Sequence, residues 1–247
     1  GFDDSTDGHP HPLVRYIEDA DDSLGMRDQE LASALALYVM SGCVKLFRQD
    51  QNPELAKSFR HHTMLVHTTH TKDGHSEDEA SVQALWRSID WLGASSELLR
   101  RSAFEDLSGT FESDESIRSP RRVEDVLPYL RQCIEKIEDP LGLGPHGRVT
   151  IVVNSEKQEE KLDFTRMSTW KIVIGGNKLS RGFTVEGLTT TWFMRSPQAT
   201  DTLTQMARWY GFRQGYEDLV RLFLPRALTK NKNTVNLYEA FCASADE

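Results

Sequence analysis

Five short apolar runs, each about the length of a β-strand, recur along this chain of 247 residues between segments of helical spacing. The runs are rich in β-branched residues and lack an apolar/polar alternation, which is typical of strands buried on both faces. Such strands, separated by helices, form a parallel sheet covered on both sides. The sequence therefore predicts an α/β fold with about five parallel strands, at Thr63–Thr69, Val149–Asn154, Trp170–Ile174, Thr190–Met194 and Leu219–Leu224.

Helical spacing divides the rest of the chain. Apolar residues recur every three or four positions from Arg27 to Arg48, which predicts a long buried helix, and helices are also predicted at Ser76–Leu99 and Arg122–Ile137. Residues 1–25 are rich in Gly, Pro and Asp and are expected to be a poorly ordered lead-in. We therefore predict a linker and helical segment at 1–58 and a main domain at 59–247, with a helical insertion at about 103–147.

Composition limits the class of protein. The sequence suggests no 18-residue apolar run that could span a bilayer, and its three cysteines lack metal-ligand or disulfide spacing, so a soluble, cytoplasmic protein with no membrane partner is expected. The chain begins with Gly1 rather than methionine, and we expect the natural protein to be longer. The net charge of -9 disfavours general phosphate binding, but basic residues cluster between 178 and 213, which leaves room for a local basic face.

The segment from Ile172 to Leu188 has the most specific pattern, because a buried strand runs directly into glycines and then into polar and basic residues. Ligands of open α/β sheets bind at the carboxyl ends of strands, where glycines let a phosphate approach the backbone. A tight turn explains Gly175 and Gly176 equally well. The polar residues that favour a binding site are Asn177, Lys178, Ser180 and Arg181, with Gly182 among them.

A second segment, Asp201 to Tyr216, carries Gln205, Arg208 and Arg213 on or just beyond a predicted helix. Guanidinium groups can neutralise charge on a transferring phosphoryl group, and Gln can hydrogen-bond a phosphate. The simpler alternative is a solvated helix face with the aromatic side chains packed inward.

Together the two segments resemble motifs of superfamily-two helicases. Ser180 to Thr184 is similar to motif V, the set Gln205, Arg208 and Arg213 is similar to motif VI, and Met64 to Thr69 lies where motif IV is expected. The resemblance implies a second RecA-like lobe, half of an ATP-driven nucleic-acid motor.

Residue roles follow from that resemblance. Arg181, Gly182 and Thr184 would contact the nucleotide, although Thr184 stands where many helicases have Asp. Arg213 would be the arginine finger, supported by Arg208 and Gln205, with Arg208 as the alternative finger. The residues expected to contact nucleic acid are Thr68, Thr69, Asn177, Lys178 and Ser180.

Longer strings, GGNKLSRGFTVEGLT, DTLTQMARWYGFRQGYEDL and HTMLVHTTH, resemble the Z-one (Z1) domain family, which is labelled as an endonuclease domain. The resemblance implies a domain that follows an ATPase lobe and acts on DNA in restriction or repair, in some members with a separate nuclease subunit.

No phosphate loop of the form GxxxxGK[ST] and no DExx strand end occurs in the sequence. ATP and Mg²⁺ would therefore be bound mainly by an upstream RecA-like lobe of the same protein, and this chain alone is predicted to be inactive.

Two other functions stay open. A metal-dependent endonuclease needs converging carboxylates and usually a Lys, and Glu159, Glu160 and Lys161 faintly match that set. A purely structural assembly module is the third possibility. The histidines at 61, 62, 67, 70 and 75 lack metal-ligand spacing, and no metal site is predicted.

Overall fold

The computed structural model describes residues 12–18, 22, 24–68, 72–111, 117–138, 148–153, 164, 168–175, 185–194, 214–225, 227–230 and 233–236. In these ranges, six parallel strands form one sheet in the order β1-β6-β5-β2-β4-β3. The strands are β1 (Val14–Ile17), β2 (His62–His67), β3 (Thr150–Val153), β4 (Trp170–Gly175), β5 (Leu188–Phe193) and β6 (Arg221–Pro225). An antiparallel hairpin follows, formed by β7 (Ala227–Lys230) and β8 (Asn233–Asn236).

The described helices are α1 (Arg27–Gln51), α2 (Lys72–Ser88), α3 (Glu97–Ser108), α4 (Val123–Val126) and α5 (Leu130–Glu138). Short 3₁₀ turns lie at Pro53–Ala56, Ala94–Ser96, Leu127–Tyr129 and Glu217–Leu219. The helices α2 to α5 all pack around α1, which in turn lies on β2 and β5.

The predicted α/β class is confirmed. Each of the five apolar runs overlaps a parallel strand, and every residue of β2, β5 and β6 is buried, as expected for strands covered on both faces. This parallel sheet with flanking helices is consistent with a RecA-like arrangement.

The expectation of a disordered lead-in was wrong for residues 14–17, which form β1. This strand pairs with β6 from Val14 opposite Leu222 to Ile17 opposite Pro225 and adds a sixth strand at the edge of the sheet. The four-residue run VRYI was too short to stand out beside the surrounding Gly, Pro and Asp.

Helix α1 is buried on all sides from Ala34 to Leu46. An 18-residue window of α1 has a mean hydropathy of 1.4, so by length and composition it could cross a membrane, contrary to the sequence expectation. However, 78 % of that window is buried inside the fold. A helix that is apolar on every side can be the central helix of a protein core, and α1 has that position here.

The helix predicted from Ser76 to Leu99 is in fact two helices. A turn separates them, in which the Asp90 carboxylate accepts a hydrogen bond of 3.0 Å from the Gly93 N–H. The second helix, α3, extends to Ser108 into a stretch where no helix was predicted. Its buried residues have helical spacing, but acidic and Ser residues between them obscured the pattern in the sequence; they are Arg100, Ala103, Phe104 and Leu107.

The helix predicted at Arg122–Ile137 is present as α4 and α5. A 3₁₀ turn that contains Pro128 separates them. Proline lacks the N–H that a continuous α-helix would need at this point.

Candidate functional site: the two ends of the parallel sheet

Among the predicted site residues, the structure describes Thr68. The other ten lie outside the described residues: Thr69, Asn177, Lys178, Ser180, Arg181, Gly182, Thr184, Gln205, Arg208 and Arg213. Their segments are nevertheless bounded by described residues at the ends of strands. These flanking residues define the two ends of the sheet.

The strand order creates a topological switch point at β2. After β2 the chain continues toward β3 and β4, on one side of β2, whereas after β5 it continues toward β6 on the other side. In open α/β sheets, ligands bind outside the carboxyl ends of strands where the order reverses in this way. The carboxyl ends of β2 and β5 meet that condition, and Thr68 directly follows β2.

His67 ties the ends of three strands together at the carboxyl end. Its ring Nδ1 donates a hydrogen bond of 2.5 Å to the Gly175 carbonyl at the end of β4, and its own carbonyl accepts one of 3.0 Å from the Met194 N–H after β5. The ring stacks on Phe193 with centroids 5.2 Å apart. His67 thus fixes the points at which β4 and β5 lead into residues 176–184 and 195–213.

Thr68 is half-buried, and its hydroxyl donates a hydrogen bond to the Asp78 carboxylate of α2. A phosphate offers only acceptors at neutral pH, so a Thr68–phosphate contact requires the hydroxyl to leave Asp78. Asp78 therefore controls whether Thr68 can donate to a ligand at the carboxyl end.

At the amino end of the sheet, the fully buried Lys45 of α1 bridges two strands. Its Nζ donates hydrogen bonds of 3.2 Å to the carbonyls of His61, before β2, and Gly187, before β5. The same ammonium lies 3.7 Å from the centroid of the Tyr216 ring. Carbonyl dipoles and an aromatic face thus solvate this cation in place of water.

Arg48, one turn further along α1, forms a buried ion pair with Asp218. The guanidinium donates to both carboxylate oxygens, at 2.8 and 2.5 Å, and also donates at 2.8 Å to the Gly215 carbonyl. A fourth contact reaches the Ser119 hydroxyl at 2.9 Å. The side chains of Arg48 and Asp218 are 0 % and 4 % exposed, so this two-pronged contact is shielded from water.

Two buried histidines at this end favour the neutral state. Burial, with the charges of Arg60 and Lys45, lowers the pKa of His61 from 6.5 to about 4. Its Nδ1 accepts a hydrogen bond of 3.2 Å from the Thr169 N–H, which requires that nitrogen to be unprotonated. Burial also lowers the pKa of His62, which stacks on Tyr38 with ring centroids 4.4 Å apart.

The described ranges contain no group of three or more His, Cys, Asp or Glu residues that could hold a metal ion. His62 and His67 lie at opposite ends of β2, and His75 lies on α2. The carboxylate of Glu79 is engaged by Arg148 at 2.8 Å and by Thr150 at 2.7 Å. The nuclease candidates Glu159, Glu160 and Lys161 lie outside the described residues.

Sequence reasoning missed the polar residues that organise both ends: Lys45, Arg48, His67, Asp78 and Asp218. Lys45 and Arg48 occur among apolar residues of a helix predicted to be buried, and this unusual position was the available signal. Asp78 lies in an acidic run, where nothing distinguishes it from its neighbours.

Comparison with protein-family models matches residues 30–244 to the Z1 domain. Comparisons with curated proteins and with solved structures find no match. The matched range includes most of α1, the central strands and both arginine-bearing segments. The chain therefore belongs to the Z1 domain family.

Proposed function

We propose that this chain is the second RecA-like lobe of an ATP-driven DNA helicase or translocase, whose ATPase site is completed by an upstream lobe of the same protein. One observation carries the proposal: β2 lies between β4 and β5, the two strands that lead into the arginine-bearing segments. This order gives the sheet a switch point beside both segments.

Nucleic acid would bind at the carboxyl end. Thr68 lies there, and Asn177 is two residues beyond Gly175, a distance that an extended chain spans in at most about 7 Å. Hydroxyl and amide groups position phosphates without reading sequence, and Lys178 adds positive charge. Thr69 and Ser180 belong to the same proposed surface.

The proposed nucleotide contacts belong to the two segments that lead from the carboxyl ends of β4 and β5 to the amino ends of β5 and β6. Thr184 is three residues from Gly187, a separation of at most about 11 Å, and Arg213 is two residues from Gly215, at most about 7 Å. Arg181, Gly182, Gln205 and Arg208 belong to the same two segments.

In this proposal the upstream lobe holds most of ATP and its Mg²⁺, because the sequence contains neither a GxxxxGK[ST] phosphate loop nor a DExx strand end. The chain supplies an arginine, Arg213 with Arg208 in support. A guanidinium neutralises charge that develops on the transferring phosphoryl group, which lowers the barrier to hydrolysis. Bound ATP would thereby couple the two lobes.

The test is DNA-stimulated ATP hydrolysis by the full-length protein with Arg213→Ala. We expect turnover to fall by about 10³-fold or more, because an arginine finger contributes at least that factor. Arg131→Ala, at an exposed position on α5, is the control and should leave turnover unchanged. Normal turnover by Arg213→Ala would refute the finger assignment, and Arg208→Ala would then test the alternative arginine.

The endonuclease alternative predicts cleavage of DNA by this chain with Mg²⁺ or Mn²⁺ and without ATP. We expect no cleavage, because no obvious carboxylate precedes Glu159 and Glu160 in the sequence to complete a metal site. Any DNA cutting in restriction or repair would then require a separate nuclease subunit. Metal-dependent cleavage that Glu160→Gln abolishes would favour the alternative.

A further inference from the structure

The hairpin of β7 and β8 starts directly after the last strand of the parallel sheet. β6 ends at Pro225 and β7 begins at Ala227, a separation that an extended chain spans in at most about 7 Å. In the described part of the chain, β7 and β8 pair only with each other. The hairpin is therefore a separate element whose base lies at the carboxyl end of β6.

The strand register puts the base of this hairpin at the same end of the sheet as Thr68. His67, the residue before Thr68, is opposite Phe193 of β5. The register of β5 with β6, continued by one residue, places Leu224 opposite Phe193. Leu224 thus lies two strands away from His67, a distance of about 10 Å. A ligand at the carboxyl end of the sheet that contacts Thr68 would have the hairpin close by.

The hairpin divides into an apolar half and a polar half. The two register pairs nearest β6 include its apolar residues: Ala227 opposite Asn236 and Leu228 opposite Val235. The two pairs farthest from β6 are polar throughout: Thr229 opposite Thr234 and Lys230 opposite Asn233. The polar half, 229–234, reads TKNKNT in the sequence, and its two middle residues lie outside the described ranges. The half of the hairpin that is farthest from the sheet is thus entirely polar.

Charge sets this part of the chain apart from the rest. The protein has 38 acidic and 29 basic residues, yet residues 222–238 include no acidic residue and three basic ones, Arg226, Lys230 and Lys232. A two-residue hairpin loop by itself favours Asn, Asp or Gly rather than lysine. Lysines without carboxylates among their sequence neighbours are typical of a segment that binds phosphates.

The residue types of the polar half suit a nucleic-acid backbone. Hydroxyl, amide and ammonium groups contact phosphate oxygens without reading the base sequence. Thr229 and Thr234 supply hydroxyls, Asn233 supplies an amide and Lys230 supplies positive charge. One strand of a DNA duplex carries a phosphate about every 3.4 Å, so about three phosphates span the 10 Å or so from β2 to β6. A single stretch of backbone is long enough to contact both Thr68 and the hairpin.

We infer that the β7–β8 hairpin is a second contact for the DNA backbone, two strands away from Thr68. Its polar half binds phosphates through the charge of Lys230 and the hydroxyls of Thr229 and Thr234. The inference rests on the proposed function, because it requires DNA at the carboxyl end of the sheet. It assigns a binding role to a segment that lies outside the helicase-like motifs.

The experiment measures the affinity of the full-length protein for a DNA duplex of mixed sequence by fluorescence anisotropy, over a series of salt concentrations. Lys230→Gln removes the charge, and Lys230→Arg keeps it. Thr229→Val combined with Thr234→Val removes both hydroxyls and keeps the β-branched shape. Lys57→Gln is the matched control, because it makes the same charge change at an exposed position before β2, at the amino end of the sheet.

We expect Lys230→Gln to weaken binding by about fivefold and to reduce the slope of log affinity against log salt by about 1, since one phosphate contact is lost. Lys230→Arg should keep the wild-type affinity and slope. The double threonine variant should weaken binding by about fivefold with an unchanged slope, because hydroxyls carry no charge. Lys57→Gln should stay within about twofold of the wild-type affinity, with the wild-type slope.

An unchanged slope in Lys230→Gln, or an equal loss of affinity in Lys57→Gln, would overturn the inference. If circular dichroism shows that Lys230→Gln does not fold, the double threonine variant decides, and wild-type affinity in that variant would overturn the inference. Wild-type protein that shows no salt-dependent binding of DNA refutes the proposed function itself. Normal wild-type binding with the slope unchanged in Lys230→Gln refutes the hairpin contact alone.

Discussion

The two ends of the parallel sheet are held by different kinds of contact. At the amino end, the charged side chains of α1 reach carbonyls and a carboxylate that are shielded from water. At the carboxyl end, a neutral backbone hydrogen bond and the ring of His67 join the strands, and Thr68 is half-buried. Rearranging the amino end would therefore leave buried charges without partners, whereas the Thr68–Asp78 hydrogen bond at the carboxyl end lies closer to water.

The largest expected effect comes from removing one partner of the buried ion pair. Arg48→Met leaves Asp218 without its fork, and we expect a loss of about 3–5 kcal/mol in the free energy of unfolding. Arg48→Met combined with Asp218→Leu should recover much of that loss. Urea denaturation measures both. A loss below about 1 kcal/mol in the single variant would contradict the contrast between the two ends.

A smaller loss is expected from Gly187→Ala. Gly187 has a φ of +73°, and a Cβ there would lie 2.3 Å from the backbone of His61. Backbone strain and the clash together should cost about 2–4 kcal/mol. Gly25→Ala is the control, because Gly25 has a φ of +66° but no atom within 4 Å of the added Cβ. If both variants lose the same stability, the amino end is not tightly packed at Gly187.

The pH dependence of stability tests His61. Its pKa is about 4 in the fold and 6.5 as the ordinary value, so the unfolded chain takes up a proton first as the pH falls. This contribution to the free energy of unfolding is complete above pH 6.5 and is lost between pH 6.5 and about 4, by about 3 kcal/mol. His61→Gln should reduce the slope of the curve in this window, and part of the slope that remains belongs to His62, whose pKa is also lowered by burial. An unchanged slope in that variant would show that His61 titrates normally.

The smallest effects are expected at the carboxyl end. Thr68→Val should change the free energy of unfolding by less than about 1 kcal/mol, because its hydrogen bond is only half-buried.

Asp78→Asn should raise affinity for DNA by about two- to fivefold at low salt, because a negative charge leaves the proposed phosphate surface. Fluorescence anisotropy measures the binding. Weaker binding by Asp78→Asn would argue against DNA at this end.

Continuous apolar runs made the central strands predictable, because a strand that is buried on both faces must be apolar at nearly every position. The edge strand β1 was not predictable in the same way, since its four residues acquire strand geometry only by pairing with β6. Similarly, α3 was missed because residues exposed on its outer face hid the buried spacing of Phe104 and Leu107.

The candidate site also contains residues that the sequence indicated and residues that it did not. Motif resemblance drew attention to Thr68 and to the arginines, which are local features of the sequence. The contacts of Arg48 with Gly215 and Asp218 join residues far apart in the chain, so no local pattern contains them. For the same reason, the sequence did not indicate that the two arginine-bearing segments end against one helix.

The pairing of β1 with β6 also bears on how the protein is made. Val14 is among the first described residues to leave the ribosome, yet its partner Leu222 belongs to the last strand of the sheet. Arg48 likewise cannot form its ion pair until Asp218 has been synthesised. A nascent chain that ends before β6 therefore exposes β1 as an unpaired strand and Arg48 as a charge without its counter-ion. These long-range contacts form only late in synthesis. Chaperone binding to ribosome-bound chains that end before Arg221 should accordingly exceed binding to chains that include β6.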